Sequence, residues 1–411
     1  MKIRDIHGDM AFDSRGEPTV RVKIMLQDGT EGIGIAPSGA STGSHEAREL
    51  RDGGDAYSGR GVHAAVENVN AAIADVLRGA EAFDQGAIDA AMIEADDTPD
   101  KHKIGANAMI AASWAVANAA ANALRMPLYR YLGGVYGREM PCPMFNVING
   151  GRHADNNLDI QEFMFVPCGA ESFHEAMRMG VECRRALGAL LHDAGHSLAV
   201  GDEGGFAPNL NDDAEALDLM VRAIELAGWR VGEDVGLALD AAASEWLSDD
   251  FYVQPKSGRR FASDDLIEYY TALCARFPIL SIEDPLGEDD FDGFRRITDS
   301  LGDDVMIVGD DLFTTNPARI LRGAGMGAAN AALIKPNQIG TVSETLGSIR
   351  IASENGYAIV VSHRSGDTED ASIADLAVAV NAGFIKSGAP VRSERLAKYN
   401  RLLMIEDELN R

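Results

Sequence analysis

Cysteine is scarce in this 411-residue chain. The four present, Cys142, Cys168, Cys183 and Cys274, include no C-x-x-C pair, which sets aside the common thiolate metal and redox spacings. They read as core thiols of a protein in a reducing compartment. Positive charge is also short. Only 37 Lys and Arg face 64 Asp and Glu, giving a net charge of −27 at pH 7 and a pI of about 4.6. Such a chain is repelled by nucleic acid and by anionic membrane surfaces, so neither is an expected partner. An anionic substrate has to be held by local cations or by metal. Long apolar runs are missing too. The longest charge-free stretch, Ile104 to Leu124, is mostly Ala, Asn and Ser and too weakly hydrophobic to favour lipid. It reads as a tightly packed helix of small residues. The opening Met1-Lys2-Ile3-Arg4-Asp5 has no apolar targeting core, so a cytoplasmic location is expected.

What is present is a repeated unit. The stretch Ala358 to Lys386 reads strand, helix, strand: Ala358-Ile359-Val360-Val361-Ser362 ends in His363-Arg364-Ser365-Gly366. Residues 371–380 have helical apolar spacing, and Gly383-Phe384-Ile385 ends in Lys386. Four upstream apolar runs also end in charge, at Asp240, Glu283, Asp310 and Lys335. From Glu283 onward these ends lie roughly 25 residues apart, about what a strand-helix-strand crossover needs. The longer step from Asp240 to Glu283 holds a hairpin-like insert over residues 251–261. The fold class this predicts is α/β. In a barrel of alternating strands and helices the chemistry sits at the carboxyl ends of the strands, and the length accommodates one such barrel of about 250 residues beside a smaller domain.

The N-terminal part is different. Residues 18–36 form a predicted β-hairpin around Asp28-Gly29. Pro37 to Gly43 are small or turn-forming, which suits a flexible connector or a mobile lid with exposed amides and hydroxyls. Helical patterns follow over 62–77 and 85–95, and Pro127 to Gly134 marks a boundary. The expected domains are therefore an α+β unit over 1–134 and a barrel over 135–411. The latter opens with a strand into Gly150-Gly151 and a polar loop, Arg152-His153-Ala154-Asp155-Asn156-Asn157. A strand beginning Gln161-Glu162 follows, then a helix over 173–194, then the glycine-ringed acids Asp202-Glu203.

Asp240, Glu283 and Asp310 are hard oxygen donors on successive strands, and an oxygen-only set suits Mg²⁺. Taken singly, such residues also cap helices. Lys335 and Lys386 would stand close to that metal, and a lysine beside cations is expected to lose its proton more easily and serve as a base. Arg364 and Ser365 offer a guanidinium fork and a hydroxyl, apt for phosphate. Glu203, Glu162 and His153 are candidates for an acid. Together they describe β-elimination on a small phosphorylated acid, with the proton next to a carboxylate removed first.

These stretches resemble the enolase (phosphopyruvate hydratase) family nearly end to end. The resemblance is carried by Ser38-Gly39-Ala40-Ser41-Thr42-Gly43, Gly150 to Ala154, Gln161 to Met164, Gly201 to Pro208, Ser281 to Pro285, Gly309 to Leu312, Asn337 to Thr341 and Ser362 to Gly366. It implies an enolase-type modified (β/α)8 barrel with a smaller N-terminal α+β domain. The implied activity is conversion of 2-phospho-D-glycerate to phosphoenolpyruvate and water in glycolysis, with two Mg²⁺ per active site. By resemblance, Asp240, Glu283 and Asp310 hold the first metal and Ser41 the second. Lys335 removes the C2 proton. Glu203, with Glu162 beside it, helps hydroxide leave C3. Arg364 and Ser365 grip phosphate, while Lys386, Gln161, His363 and His153 make further contacts. The chain departs from the family at Glu17, Arg21 and Met404. The last two stand where an acid and an arginine usually pair across a dimer. A homodimer or higher homo-oligomer is still implied, with an altered interface. Two other functions are compatible with the motifs: a relative in phosphonate metabolism such as carboxyphosphonoenolpyruvate synthase, and a non-catalytic binding protein on the same scaffold.

Overall fold

The computed structural model describes residues 1–40, 42–248 and 251–411. Strands β1 (Ile3–Phe12), β2 (Pro18–Leu26) and β3 (Glu31–Ile35) form an antiparallel sheet in that order. The predicted hairpin is β2–β3, turning at Gly29 with a positive φ. β1 is an additional edge strand. Val20, Val22, Ile24 and Leu26 alternate along β2 and are fully buried, as a half-covered sheet requires. The cover is the helix Ala106–Ala123, the charge-free stretch. Its small residues have a clear cause. A Cβ on Gly32 would lie 2.2 Å from the Ala119 amide nitrogen, and one on Gly34 would lie 2.3 Å from the Ala111 carbonyl. Strand and helix backbones touch directly, which only glycine facing alanine permits.

The barrel strands are β4 (Cys142–Asn149), β5 (Glu162–Val166) and β6 (Gly236–Asp240). After a small sheet of β7 (Leu247–Ser248), β8 (Phe251–Val253) and β9 (Arg260–Phe261) come β10 (Ile279–Glu283), β11 (Met306–Gly309), β12 (Ala331–Ile334), β13 (Ala358–Ser362) and β14 (Phe384–Lys386). They close in the ring β10-β11-β12-β13-β14-β4-β5-β6. All neighbours are parallel except β5, which runs antiparallel to β4 and β6. This is the modified eight-stranded barrel, with the smaller domain packed against it. Alternate residues fill the interior, including Met144, Met164, Val166, Ala238, Leu333 and Val360.

Register decides the site. Asp240 pairs with Glu283 across β6–β10 and with Glu162 across β6–β5, so three carboxylates stand side by side at the rim. Ser362 pairs with Lys386 across β13–β14. Between the domains, Ser38 bridges to Gly366, and Lys101 Nζ reaches Glu344 at 2.9 Å.

Some expectations change. Cys183 is buried and Cys142 and Cys274 are half-buried, but Cys168 is exposed at the strand-exit turn after Pro167. Burial pushes the Cys142 and Cys183 thiols up to about 12. The family departures find partners within the chain: Arg21 makes a two-pronged contact with Asp9 at 2.8 and 2.7 Å, and Glu17 meets Arg60 at 2.9 Å. Met404 is 56% exposed. No helix among the described residues is long and apolar enough to cross a membrane.

Candidate active site

One cavity at the carboxyl rim is lined by His153, Gln161, Glu162, Glu203, Asp240, Asp310, Lys335, His363, Arg364, Ser365 and Lys386. Glu283 joins them through Lys386. Ser41, expected at a second metal, lies outside the described residues.

The cations and acids are interleaved. Lys386 Nζ, at the end of β14, lies 2.8 Å from Glu283 Oε2, 3.1 Å from Asp240 Oδ2 and 3.2 Å from Glu162 Oε2. Lys335, just past β12, is paired with Asp310. Asp240, Glu283 and Asp310 thus stand around two ammonium groups. Among the described residues, the all-carboxylate group with oxygens within 4.8 Å of one another is instead Asp284, Asp310 and Asp311. There Asp284 accepts from the Asp310 and Asp311 amides at 2.9 and 2.7 Å, which braces the turn that presents Asp310.

Charge states follow from burial and neighbours. Burial and the Asp240 charge push the Glu283 carboxyl up to about 8 despite Lys386. Burial works against the Asp310 carboxylate, yet Lys335 holds it below the usual range. Lys335 differs from expectation. Burial pulls its ammonium down, but the Asp310 and Glu283 carboxylates together raise it. Its nearest charge is an acid, so it rests protonated. Lys386 is likewise raised, by Asp240, Glu162 and Glu283 against burial.

The acid side is built across the barrel. Glu162, Glu203 and His153 converge within 4.8 Å. His153 Nδ1 is 3.5 Å from Glu162 and 3.7 Å from Glu203. Glu203 Oε2 accepts from Asn146 Nδ2 at 2.9 Å and faces His363 Nε2 at 3.3 Å. Burial and the Glu203 charge drive the Glu162 carboxyl well above its ordinary value. Burial also lifts Glu203, but its partners, among them the His363 Nε2–H that it accepts from, bring it well below the ordinary carboxylate range. The pair therefore holds one proton, resting on Glu162. Burial lowers the His363 ring to about 4, leaving it neutral.

The anion grip is partly occupied by the protein itself. Arg364 Nη1 lies 2.8 Å from Glu46 Oε2, and Ser365 Oγ accepts from the Ala40 amide at 2.7 Å. Ser38 and Ala40 are thus docked on the β13 turn. Gln161 Nε2 donates to Asp240 at 3.3 Å, while its Oε1 is buried without a partner.

The chain matches the sequence model of the enolase N-terminal domain over residues 3–132 and that of the enolase C-terminal TIM barrel domain over residues 138–411. It belongs to the enolase family. As an enolase-family protein it is an enzyme, phosphopyruvate hydratase or a relative in the enolase superfamily of lyases. The family is metal-dependent, and the acidic groups at this rim are able to bind a metal.

Four residues of this enolase-family site escape a sequence reading. Asn146 on β4 bonds Glu203. Glu46 pairs with Arg364. Gln338 Nε2 donates to Asp310 at 2.9 Å. Arg395 bonds His363. Gln338 leaves a signal by lying within the Asn337–Thr341 motif, and Arg395 leaves one as a basic residue in the first turn of a helix, where the dipole disfavours it.

Proposed function

We propose that this enzyme dehydrates 2-phospho-D-glycerate to phosphoenolpyruvate with Mg²⁺. One observation carries the reading: base and acid face each other across the barrel. Lys335 follows β12 and Glu162 opens β5, and these strands lie four apart in a ring of eight. A substrate between them loses a proton toward one wall and a hydroxyl toward the other, the geometry of an anti elimination.

The rim fits a hard divalent cation. Burial and the Asp240 charge push Glu283 up to about 8 despite Lys386, and a divalent cation among these carboxylates would relieve both. Oxygen-only donors suit Mg²⁺. Asp240, Glu283 and Asp310 would hold it, and Ser41 is the family-based candidate for a second. When bound, the cations supply positive charge that offsets the substrate's carboxylate and the charge building up as the C2 proton leaves.

The chain's own groups do the rest. Lys335 accepts the C2 proton in its neutral form, after its ion pair with Asp310 opens and its resting proton leaves to solvent. Arg364 and Ser365 bind phosphate after releasing Glu46 and the Ala40 amide, so substrate entry and movement of the 37–43 segment are linked. Glu162 and Glu203 pass their shared proton to the departing C3 hydroxyl. His153 covers that pair, its ring held neutral by burial.

The test is incubation with 2-phosphoglycerate and Mg²⁺ in D₂O, followed by NMR. Deuterium entering C2 of the remaining substrate, together with phosphoenolpyruvate, supports the proposal. Neither appearing rejects it.

A further inference from the structure

Arg395 is fully buried in the first turn of the helix Ser393–Leu409. That place is unfavourable for a cation, because the helix N-terminus is itself positive and burial removes water. Among the described residues its ion-pair contact is Glu394, 3.4 Å from Nε. Its other donors go to the active site. Nη1 reaches His363 Nδ1 at 2.5 Å and the Arg364 carbonyl at 2.6 Å. Nη2 reaches the Ser365 carbonyl, the Asp202 carbonyl at 3.2 Å and Ser14 Oγ at 3.4 Å. The packing leaves no slack. A Cβ on Gly388, where φ is +76°, would lie 2.9 Å from Arg395 Cδ and 2.8 Å from the Glu203 carbonyl.

We propose that Arg395 is the positioning residue of this site: it fixes His363 in the tautomer that donates to Glu203, and ties the Glu203 turn to the Arg364–Ser365 turn. Guanidinium only donates, so Nδ1 of His363 must accept. The ring hydrogen then sits on Nε2, which faces Glu203 Oε2 at 3.3 Å. The same guanidinium holds the carbonyl next to Glu203 and the carbonyls of both anion-grip residues. A shift of either wall therefore breaks bonds to the other. Which wall supplies the acid rests on the dehydratase reading. The bond network itself does not.

The test compares wild type with Arg395→Met and Arg395→Lys. Nitrogen-edited NMR reports the His363 tautomer without any substrate. The wild type is expected to show Nε2–H, and Arg395→Met a mixed or Nδ1–H ring. In 2-phosphoglycerate turnover, kcat should fall about 10²-fold, the scale of an ångström misplacement. Lysine offers one compact ammonium in place of a fork, so Arg395→Lys should not restore the rate. If Arg395→Met does not fold, Arg395→Lys carries the rate and double-variant measurements, since an ammonium also only donates and does not test the tautomer. Adding His363→Gln to Arg395→Lys should cost less than about threefold beyond His363→Gln alone, because both changes break one unit. An unchanged Nε2–H tautomer in folded Arg395→Met, or fully multiplicative losses, overturns the proposal. A wild type that gives no phosphoenolpyruvate but shows the expected tautomer change sinks the dehydratase reading and leaves the positioning role standing.

Discussion

Lys386 Nζ stands 2.8 Å from Glu283 Oε2, an ammonium against a carboxyl that burial and Asp240 push up to about 8. The lysine occupies the centre of a rim of three acids, Glu162, Asp240 and Glu283. Glu283→Ala should therefore weaken Mg²⁺ binding by at least about 10-fold, since losing even an outer partner of a metal ligand costs that much. Calorimetric titration with MgCl₂ checks it. An unchanged isotherm would place the cation elsewhere.

Lys335 rests paired with Asp310, on the opposite side of the ring from Glu162. Lys335→Ala should abolish deuterium exchange at C2 and lower kcat by about 10²–10⁴-fold, the usual worth of a positioned base. Binding of 2-phosphoglycerate should survive. Exchange persisting in this variant would assign proton removal to another group.

Glu203 and Glu162 differ in their partners, although they share a proton. Glu203→Gln should slow loss of the C3 hydroxyl more than C2 exchange, because its place in the chemistry is the leaving-group side. Measured exchange and product rates falling equally would deny it a separate role.

Much of this site is legible in the sequence, for a physical reason. A barrel strand is a short apolar run, and its functional end is the first charged residue after it. Asp240, Glu283, Asp310, Lys335 and Lys386 all stand out this way. Direction is not legible. Glu162 opens β5 instead of closing it, because β5 runs antiparallel, and an apolar run carries no arrow. β1 is obscured because Arg4, Asp5 and His7 interrupt its alternation on an exposed edge. The state of Lys335 depends on which charge is nearest, and that charge is Asp310, 25 residues away along the chain. Arg395 reads as one more cation on a terminal helix until the fold buries it.

Asp213 gives a pH prediction away from the catalytic groups. It begins the helix Asp213–Leu226 and accepts from the Asp159 and Ile160 amides at 3.2 and 3.4 Å. Asp159 in turn accepts from the Lys256 and Ser257 amides. The pair thus ties the segment after His153 to the β8–β9 turn. Burial and the Asp159 charge push Asp213 up to about 6. A carboxyl that binds its proton more tightly when folded contributes stability below its unfolded value of about 4, and loses that contribution as pH rises through 6. Asp213→Asn should therefore gain stability relative to wild type between pH 4 and pH 7, by an amount of order 3 kcal/mol at most. Urea unfolding at the two pH values measures it. An equal difference at both would mean that Asp213 does not titrate in this range.

The most direct test of the whole account mixes the purified protein with saturating 2-phosphoglycerate and Mg²⁺ and follows phosphoenolpyruvate by its ultraviolet absorbance. The account predicts turnover in the ordinary enzymatic range of roughly 1–10³ s⁻¹, abolished by a chelator. No phosphoenolpyruvate, from a folded protein that still binds the substrate and exchanges its C2 proton, would contradict dehydration as the reaction and point to a second substrate.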